Sequence, residues 1–589
     1  MKKWIQHMKK ADFYALGQRF SIDPVVARIM RNRGLEREEE YEQYLYGGWE
    51  QLYEPSSMKG LKEAVSMIEK KIADKKSIRI IGDYDIDGVN ATYILYRGLI
   101  RAGAIVDSAI PDRMADGYGI NENLIRQAYE AGRDTIITCD NGIAAREAIA
   151  YAKSLGMTVV ITDHHDVPYE ENEHGERTQV LPPADAIADP KQEGCDYPCK
   201  IICGAVVAFK FIQLLYQTLS IPLEETKEFL QFAAMATIGD VMELRDENRI
   251  LVKLGLQQLR TRPCPGIRAL MEETGILPGS ISSYHIGFVI GPCLNASGRL
   301  ETAKHALKLL QAENSAEANV LARKLKMLND ERKTLTESGM QEAFAQIEHT
   351  QLKEDTVLVV YLPDCHESLA GIIAGRIRER YYRPVLVFTD AEGGVKGSGR
   401  SIEGYHMFEE LTKCKDLFTK YGGHPMAAGV SMPKEHLASL RQRLNANQHL
   451  TQEDLVEKVY IDAVMPLSYI SESMIAGLNV LEPFGNGNAK PIFALQHIQI
   501  RRLEQKGRER KILKMLVSDG TAQIEAVYFG NIEEFEHMIC EEFGEDQLDD
   551  LYSHRPSEVD LAILYYPTIN EYMGRRTLQI NIQEFCHIK

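Results

Sequence analysis

Residues 78–95, IRIIGDYDIDGVNATYIL, constrain this chain more than any other stretch. The isoleucine-rich run 78–81 reads as a short buried strand stopped by Gly82. Aspartates follow at every second position, Asp83, Asp85 and Asp87, and Gly88 permits a tight turn. Helix-like spacing then resumes at Ala91, Ile94 and Leu95. In an open α/β sheet, ligands bind at the carboxyl ends of the strands. Three carboxylates crowded at such an end repel one another unless a cation neutralises them. The competing explanation is an acidic turn whose aspartate caps the next helix.

The rest of the chain decides between the two. After an amphipathic helix over 58–76, strands at 78–81, 105–110, 135–138 and 159–162 alternate with helices at 121–131 and 144–155. That rhythm predicts an α/β fold with a doubly wound parallel sheet. Two further strand ends carry Cys139-Asp140-Asn141-Gly142 and Asp163-His164-His165-Asp166. Asp-Asn-Gly alone is a good turn former, and a histidine pair alone suits a surface or a cap. Delivered by three strand ends to one sheet edge, they point to a metal. Carboxylate and imidazole without thiolate favour Mn²⁺ or Mg²⁺ over zinc. The donors exceed the needs of one ion, so two divalent cations roughly 3.5–4 Å apart are expected, a pair suited to phosphate-ester hydrolysis. Asp140, the sole carboxylate of its strand end, is the bridging candidate. Asp240, after Gly239 at the end of the apolar run 229–238, is a further ligand candidate or a helix-terminal aspartate.

Length and charge bound the remaining choices. A chain of 589 residues holds roughly three or four domains. A net charge of −17 argues against non-specific coating of duplex DNA, but not against an enzyme whose basic groups line one groove. Ten cysteines without a disulfide-like framework suit a reducing cytoplasm. Cys195, Cys199 and Cys203, spaced four apart with no fourth partner nearby, read as buried thiols in preference to a zinc site. No apolar run reaches the ~18 residues of a membrane span, and no export signal opens the chain.

The other segments supply further candidates. Residues 1–57 are expected to be helical and polar, with the acidic run 36–42 as a solvated face. The stretch 291–299, GPCLNASGR, reads as a glycine-bracketed loop presenting Asn295 and Arg299 to a phosphate. Charged helices over 303–351, with Leu325, Leu328 and Leu335 facing inward, connect to a second α/β unit. That unit has strands at 357–361 and 384–389 and a helix over 368–382, where Gly371 and Gly375 invite close backbone approach. Its glycine-rich turns, 397–401 and 421–425, suit phosphate. Beyond a turn-rich hinge at 481–488, strand-like runs at 493–503, 511–518, 523–529, 559–566 and 577–585 predict an OB-type β-barrel. Its first hairpin carries Arg501, Arg502, Lys506, Arg508, Arg510, Lys511 and Lys514 against Glu504 and Glu509. With Tyr528, Phe529, Tyr565 and Tyr566 as stacking rings, this fits single-stranded nucleic acid; a solvated hairpin over core aromatics is the plainer alternative.

Taken together, GDYDIDG (82–88), CDNG (139–142), TDHH (162–165), GDVMELRDENR (239–249), GPCLNASGR (291–299), SLAGIIAGRIRERYYRPV (368–385), GSGRS (397–401), YGGHPMAAG (421–429) and LEPFGNGN (481–488) resemble the DHH/DHHA1 phosphoesterase family, and within it the single-strand-specific exonucleases. The resemblance implies an N-terminal helical segment (1–57), a DHH catalytic domain (58–300), connecting helices (301–352), a DHHA1 substrate-binding domain (353–450) and an OB-type domain (451–589), set around a channel. It implies 5′-to-3′ degradation of single-stranded DNA to mononucleotides with Mn²⁺ or Mg²⁺, in DNA repair and recombination. The implied partners are a helicase and a single-strand-binding protein, and the implied state is a cytoplasmic monomer, not bound to membranes. The implied metal ligands are Asp83, Asp85, Asp87, Asp140, His164, His165 and Asp240, with Asp163 catalytic as orienter of the histidines. Asn295, Arg299, Ser368, Arg376, Ser398, Arg400, Gly422, Gly423 and His424 fall at substrate positions. Two departures stand out: Cys293 occupies a position where many relatives have arginine, and the chain ends soon after the barrel. Two other readings share parts of the pattern. A DHH phosphodiesterase or nanoRNase acting on short oligonucleotides or cyclic dinucleotides would need neither 481–488 nor the barrel. A non-catalytic DNA-binding scaffold would not keep every motif acid.

Overall fold

The structure is a computed structural model that describes residues 2–113, 116–117, 119–172, 174–507, 510–572 and 574–587. It divides into two compact units, Trp49–Glu457 and Lys2–Gly48 joined with Lys458–Lys589.

The first unit is built on five parallel strands in the spatial order Ile105–Ala109, Ser77–Ile81, Thr135–Cys139, Thr158–Thr162, Ala186–Ala188. Side chains alternate across a strand, and the two sets enter different cores. Ile80, Ile137 and Val160 pack with helices Leu61–Ala73, Ile86–Arg101 and Gly204–Thr218. Ile81, Ile136, Val159 and Ile161 pack with helices Glu122–Glu130 and Arg146–Ser154. The sheet is therefore covered on both faces, as expected.

Helix Ser315–His349, 35 residues long, joins this lobe to the next. Its early residues Ala318, Ala322 and Leu325 belong to the first core, whereas Ala343 and Ile347 pack into a core of the second lobe. Leu325 and Leu328 face inward, but Leu335 is exposed. The second lobe's sheet runs Lys420–His424, Ala427–Met432, Gly394–Arg400, Val385–Ala391, Leu358–Tyr361, antiparallel except for the last pair. The two glycine-rich runs expected as turns are thus strands. The glycines make room across the pleat: a Cβ on Gly397 would stand 2.5 Å from the Phe388 ring. Gly371 faces Ser398 and Arg400, but Gly375 meets nothing within 4 Å, so no close approach explains it. Likewise 291–299 is not a loop but helix Gly291–Leu300. A Cβ on Gly298 would lie 2.6 Å from the Tyr84 carbonyl oxygen, so glycine lets this helix rest on the turn that carries Asp83, Asp85 and Asp87.

In the second unit, Phe493–Lys506, Ile512–Ser518, Gln523–Tyr528, Arg575–Cys586 and Asp560–Tyr572 form a five-stranded barrel, closed by pairing of the last with the first. Three of the four rings expected to stack are core: Tyr528, Tyr565 and Tyr566 are buried, and Phe529 alone is exposed. Arg508 and Glu509 of the basic hairpin lie outside the described residues. The N-terminal segment is not wholly helical, because Lys3–Gln6 is a strand paired parallel to Lys458–Ile461. The turn 481–488 is no hinge between units. It lies within the second one, where Asn488 is buried, donates to the Leu481 and Pro483 carbonyls and accepts from Tyr44 Oη. Among the described residues no helix is long and apolar enough to cross a membrane.

A fully buried ion pair stiffens the first unit. Lys210 Nζ lies 2.5 Å from Glu247 Oε1 and donates to the Tyr53 carbonyl, while the Tyr197 hydroxyl donates to Glu247 Oε2. Removing one partner strands the other charge. We predict that Lys210→Met lowers stability by about 3–5 kcal/mol and that Lys210→Met/Glu247→Leu recovers most of the loss. Urea unfolding midpoints of the two variants check this.

Candidate metal centre

The centre is assembled from strand ends and helix starts. Asp85 caps helix Ile86–Arg101, its Oδ1 accepting from the amides of Asp87 (2.9 Å) and Gly88 (3.1 Å). The capping explanation therefore holds for this residue, alongside its place in the cluster. Asp87 Oδ2 and Oδ1 accept from the amides of Gly204 (2.6 Å) and Ala205 (2.7 Å), buried donors of a helix start that have no acceptor within the helix. Gly204 is required there, because a Cβ would come within 2.6 Å of Asp140 Cβ. Asp140 itself sits at φ +61°, a left-handed conformation that aspartate tolerates. Asn141 latches the turn by donating to the Ile81 and Cys139 carbonyls and accepting from the Ile120 amide.

Asp163 accepts on Oδ1 from His165 Nδ1 (2.8 Å) and the His164 amide (2.7 Å), and on Oδ2 from the Ile143 amide (2.9 Å). Both oxygens are engaged, so Asp163 orients the imidazoles. His164 Nε2 lies 3.0 Å from Asp140 Oδ1, 3.5 Å from Asp87 Oδ2 and 3.8 Å from Asp240 Oδ2. Three overlapping groups bring potential ligand atoms within 4.8 Å of one another: Asp140, His164 and His165; Asp87, His164 and Asp240; Asp83, Asp85 and Asp140. Every expected ligand is thus gathered at one place, and the cysteines at 195, 199 and 203 are in none of these groups.

Electrostatics shows what the cluster lacks. Asp83, Asp85 and Asp140 are all pushed above the usual carboxylate range, by burial first and by neighbouring aspartates second. Asp240 is pushed up to about 8 by burial, then by Asp87 and Asp85. Asp163 goes the other way. Burial raises it, but the His165 hydrogen bond and the charge of both histidines prevail. His165 rises to about 9, its burial outweighed by the Asp163 hydrogen bond and nearby carboxylates, while burial lowers His164. Among the described residues, Asp83 Oδ1 and Asp240 Oδ2 are buried without a hydrogen-bond partner. Orphaned carboxylate oxygens beside imidazole, with no thiolate, fit Mn²⁺ or Mg²⁺.

The substrate candidates are gathered only in part. Arg299 Nη1 donates to the Ser368 carbonyl at 2.7 Å, tying the first lobe to the second. Its pKa falls to about 10 through burial, then through Arg113 and Arg332, and Asn295 Oδ1 is buried without a partner among the described residues. Arg400 donates to Ser398 Oγ (3.2 Å) beside Gly371. Gly422, Gly423 and His424 are exposed, and His424 Nδ1 lies 4.0 Å from Asp166 Oδ2 of the first lobe. The Ser368 hydroxyl does not face outward; it is buried and bonded to His366 Nδ1. Arg376 pairs with Glu379 on the surface. Cys293 is core, its sulfur accepting from Asn329.

The sequence reading missed Asp189, fully buried at the end of strand Ala186–Ala188 and pushed up to about 8 by burial. Extending the strand-end rule by one strand would have found it, but three residues are too few to show periodicity. It also missed Arg113, which lies over the Tyr84 ring at 4.9 Å.

Comparison with known proteins agrees with this geometry. Family models for the DHH family N-terminal domain match residues 77–237, the DHHA1 domain 354–449 and the RecJ OB domain 461–584. The chain is 37% identical to the single-stranded-DNA-specific exonuclease RecJ of Bacillus subtilis (strain 168), over 99% of this chain and 70% of that protein. It is 32% identical to the RecJ of Escherichia coli (strain K12), over 96% of each. Among solved structures it resembles RecJ from Thermus thermophilus in complex with Mn²⁺, with a TM-score of 0.80 at 26% identity, covering 100% of this chain and 80% of that one.

The raised carboxylates give a pH dependence with a definite sign. Below about 8 Asp240 holds a proton that a cation must displace. Mn²⁺ affinity should therefore rise with pH through that point and on towards about 9, where His165 gives up its own proton, by up to tenfold per unit for each proton displaced. Without cation, the same shift makes the fold lose stability as pH climbs from 3.8 to about 8. Calorimetric titration of Mn²⁺ between pH 6 and 9, in buffers of different ionisation enthalpy, measures both the affinity and the protons released.

Proposed function

The chain belongs to the RecJ single-stranded-DNA-specific exonucleases, and on that premise we propose that it hydrolyses single-stranded DNA from the 5′ end, releasing mononucleotides, with two Mn²⁺ or Mg²⁺ ions. The observation that carries this reading is the gathering of Asp83, Asp85, Asp87, Asp140, His164, His165 and Asp240 at the sheet edge in three groups linked through Asp140 and His164. Bound there, the cations supply positive charge to the phosphate oxygens and acidify the attacking water.

The chain's own groups supply positioning. Asp163 fixes the orientation of the His165 ring through Nδ1. The amides of Gly204 and Ala205 hold Asp87, and those of Asp87 and Gly88 hold Asp85, so these carboxylates need little reorganisation when charge arrives. Arg299 would meet the scissile phosphate from the side of Asp85, and Arg400 with Ser398 and His424 would hold the terminal nucleotide. In the second unit, the barrel's exposed Arg501, Arg510 and Phe529 would take the incoming strand. The same reading makes the protein a cytoplasmic monomer that follows a helicase and works beside a single-strand-binding protein in DNA repair and recombination.

A phosphodiesterase of short oligonucleotides would share the metal centre but leave the barrel without a task. A scaffold would leave the carboxylates without one. With Mn²⁺, a 5′-labelled single strand should release labelled mononucleotide at once, a 3′-labelled one only late, and blunt duplex should be spared. Cleavage confined to dinucleotides would overturn the exonuclease reading. Asp140→Asn, which keeps the left-handed turn, should lower turnover at least a thousandfold with the unfolding transition unchanged. Near-normal turnover would remove Asp140 from the ligand set.

A further inference from the structure

The chain runs through one helical rod, Ser283–His285, a π-helical turn Ile286–Ile290, and Gly291–Leu300. π turns cluster at functional sites. The rod's inner side is accounted for. Ile286 and Ile290 are buried, a Cβ on Gly287 would stand 3.7 Å from Ile238, and one on Gly291 would stand 3.3 Å from Ile86. Ile238 lies two residues before Asp240, and Ile86 lies between Asp85 and Asp87. The rod therefore rests directly on the segments that carry the metal ligands.

Its outer side is not accounted for by packing. Tyr284 is 63% exposed and Phe288 66%, and the two rings stack on each other at 5.0 Å between centroids and 29° between planes. Single exposed apolar residues are ordinary, but a stacked aromatic pair left in water beside a metal centre is a surface waiting for a planar ligand. Helical spacing gives its direction. Asn295 and Arg299, four residues apart, share one stripe of helix Gly291–Leu300, and the π turn that holds Phe288 continues the rod from that helix's start. At about 1.5 Å per residue the rod descends about 16 Å, from the exposed rings to the half-buried Arg299 near Asp85.

We propose that Tyr284 and Phe288 form a base-stacking platform for the single strand, a few nucleotides from the scissile phosphate. The inference rests on the nuclease reading above. Its occupant is set by continuity: the rod runs to a residue placed to meet phosphate, so the chain that follows it is the strand whose phosphate Arg299 holds. Stacking on an aromatic face tolerates every base, as degradation without regard to sequence requires.

The test uses the full-length chain with Mn²⁺ and a 5′-phosphorylated oligothymidylate. Tyr284→Ala/Phe288→Ala should raise KM roughly five- to a hundredfold, the range expected for lost stacking. The loss should fall on KM and not on kcat, with Mn²⁺ affinity and the unfolding transition unmoved. Phe288→Trp should bind like the parent and Phe288→Leu like the alanine variant, which separates an aromatic face from mere bulk. A single abasic site walked along the strand should raise KM at one or two positions in the parent and at none of them in the double variant. A parent indifferent to every abasic position, or a Phe288→Leu variant that binds normally, overturns the platform while leaving the nuclease intact. A parent that neither binds nor cleaves the strand overturns both.

Discussion

The rest of the structure depends on the mutual repulsion of carboxylates held at one end of a buried sheet. The fold meets that repulsion in two ways, and they sort the acids by role. Asp163 and Asp87 have both oxygens engaged by donors, and Asp85 has one oxygen held by two amides. Asp83 and Asp240 each keep a buried oxygen without a partner among the described residues, and Asp140, although it meets His164, is pushed well above the usual range. Backbone donors fix the positions of the first group, and divalent charge is what the second group lacks. A centre divided in this way is preorganised without being neutral, so binding energy of the cation goes into charge compensation and not into assembly.

That arrangement reaches deep into the first unit. The helix whose first amides hold Asp87 is the same helix that carries Lys210. Glu247, its buried partner, stands on helix Asp246–Thr261, just after the turn that bears Asp240. Two candidate ligands from distant parts of the chain, Asp87 and Asp240, are thereby set relative to one another by a pair more than one turn away from either. Gly204 and Gly239 complete the fit, since a Cβ at either would collide with Asp140 or with Ile86 within 2.6 Å.

Most of the sheet and the whole set of candidate ligands were legible in the sequence, because strand periodicity and strand-end acids are local signals. What misled was local as well. Glycine in 397–401 and 421–425 signals a turn when read alone, but those residues are strands: a Cβ on Gly397 would meet the Phe388 ring and one on Gly423 the Ala427 carbonyl, whereas Gly422 meets nothing within 4 Å. The glycines and proline of 291–299 suggested a loop, yet Pro292 is taken up directly after the π turn Ile286–Ile290 and Gly298 serves a contact with Tyr84 far away in sequence. The barrel's strands were legible by alternation. Which aromatics face inward was not, because Tyr528, Tyr565 and Tyr566 are sorted from Phe529 only by barrel closure. The pairing of Lys3–Gln6 with Lys458–Ile461 joins residues about three quarters of the chain apart, and no local pattern announces it.

A protein of net charge −17 must still draw a polyanion to its centre. The immediate surroundings of that centre show how. Arg299 is held down to about 10 by burial, then by Arg113 and Arg332, so adding a negative charge beside it relieves repulsion among cations. A few residues away the carboxylates are held up by burial and by each other, so adding positive charge relieves repulsion among anions. Tyr84, between Asp83 and Asp85 and beneath Arg113, lies at the boundary of the two fields. Neither a metal ion alone nor a phosphate alone satisfies both sides. A phosphodiester and a divalent cation bound together do, so each should strengthen the hold on the other, and overall net charge is then a poor guide to what this centre attracts.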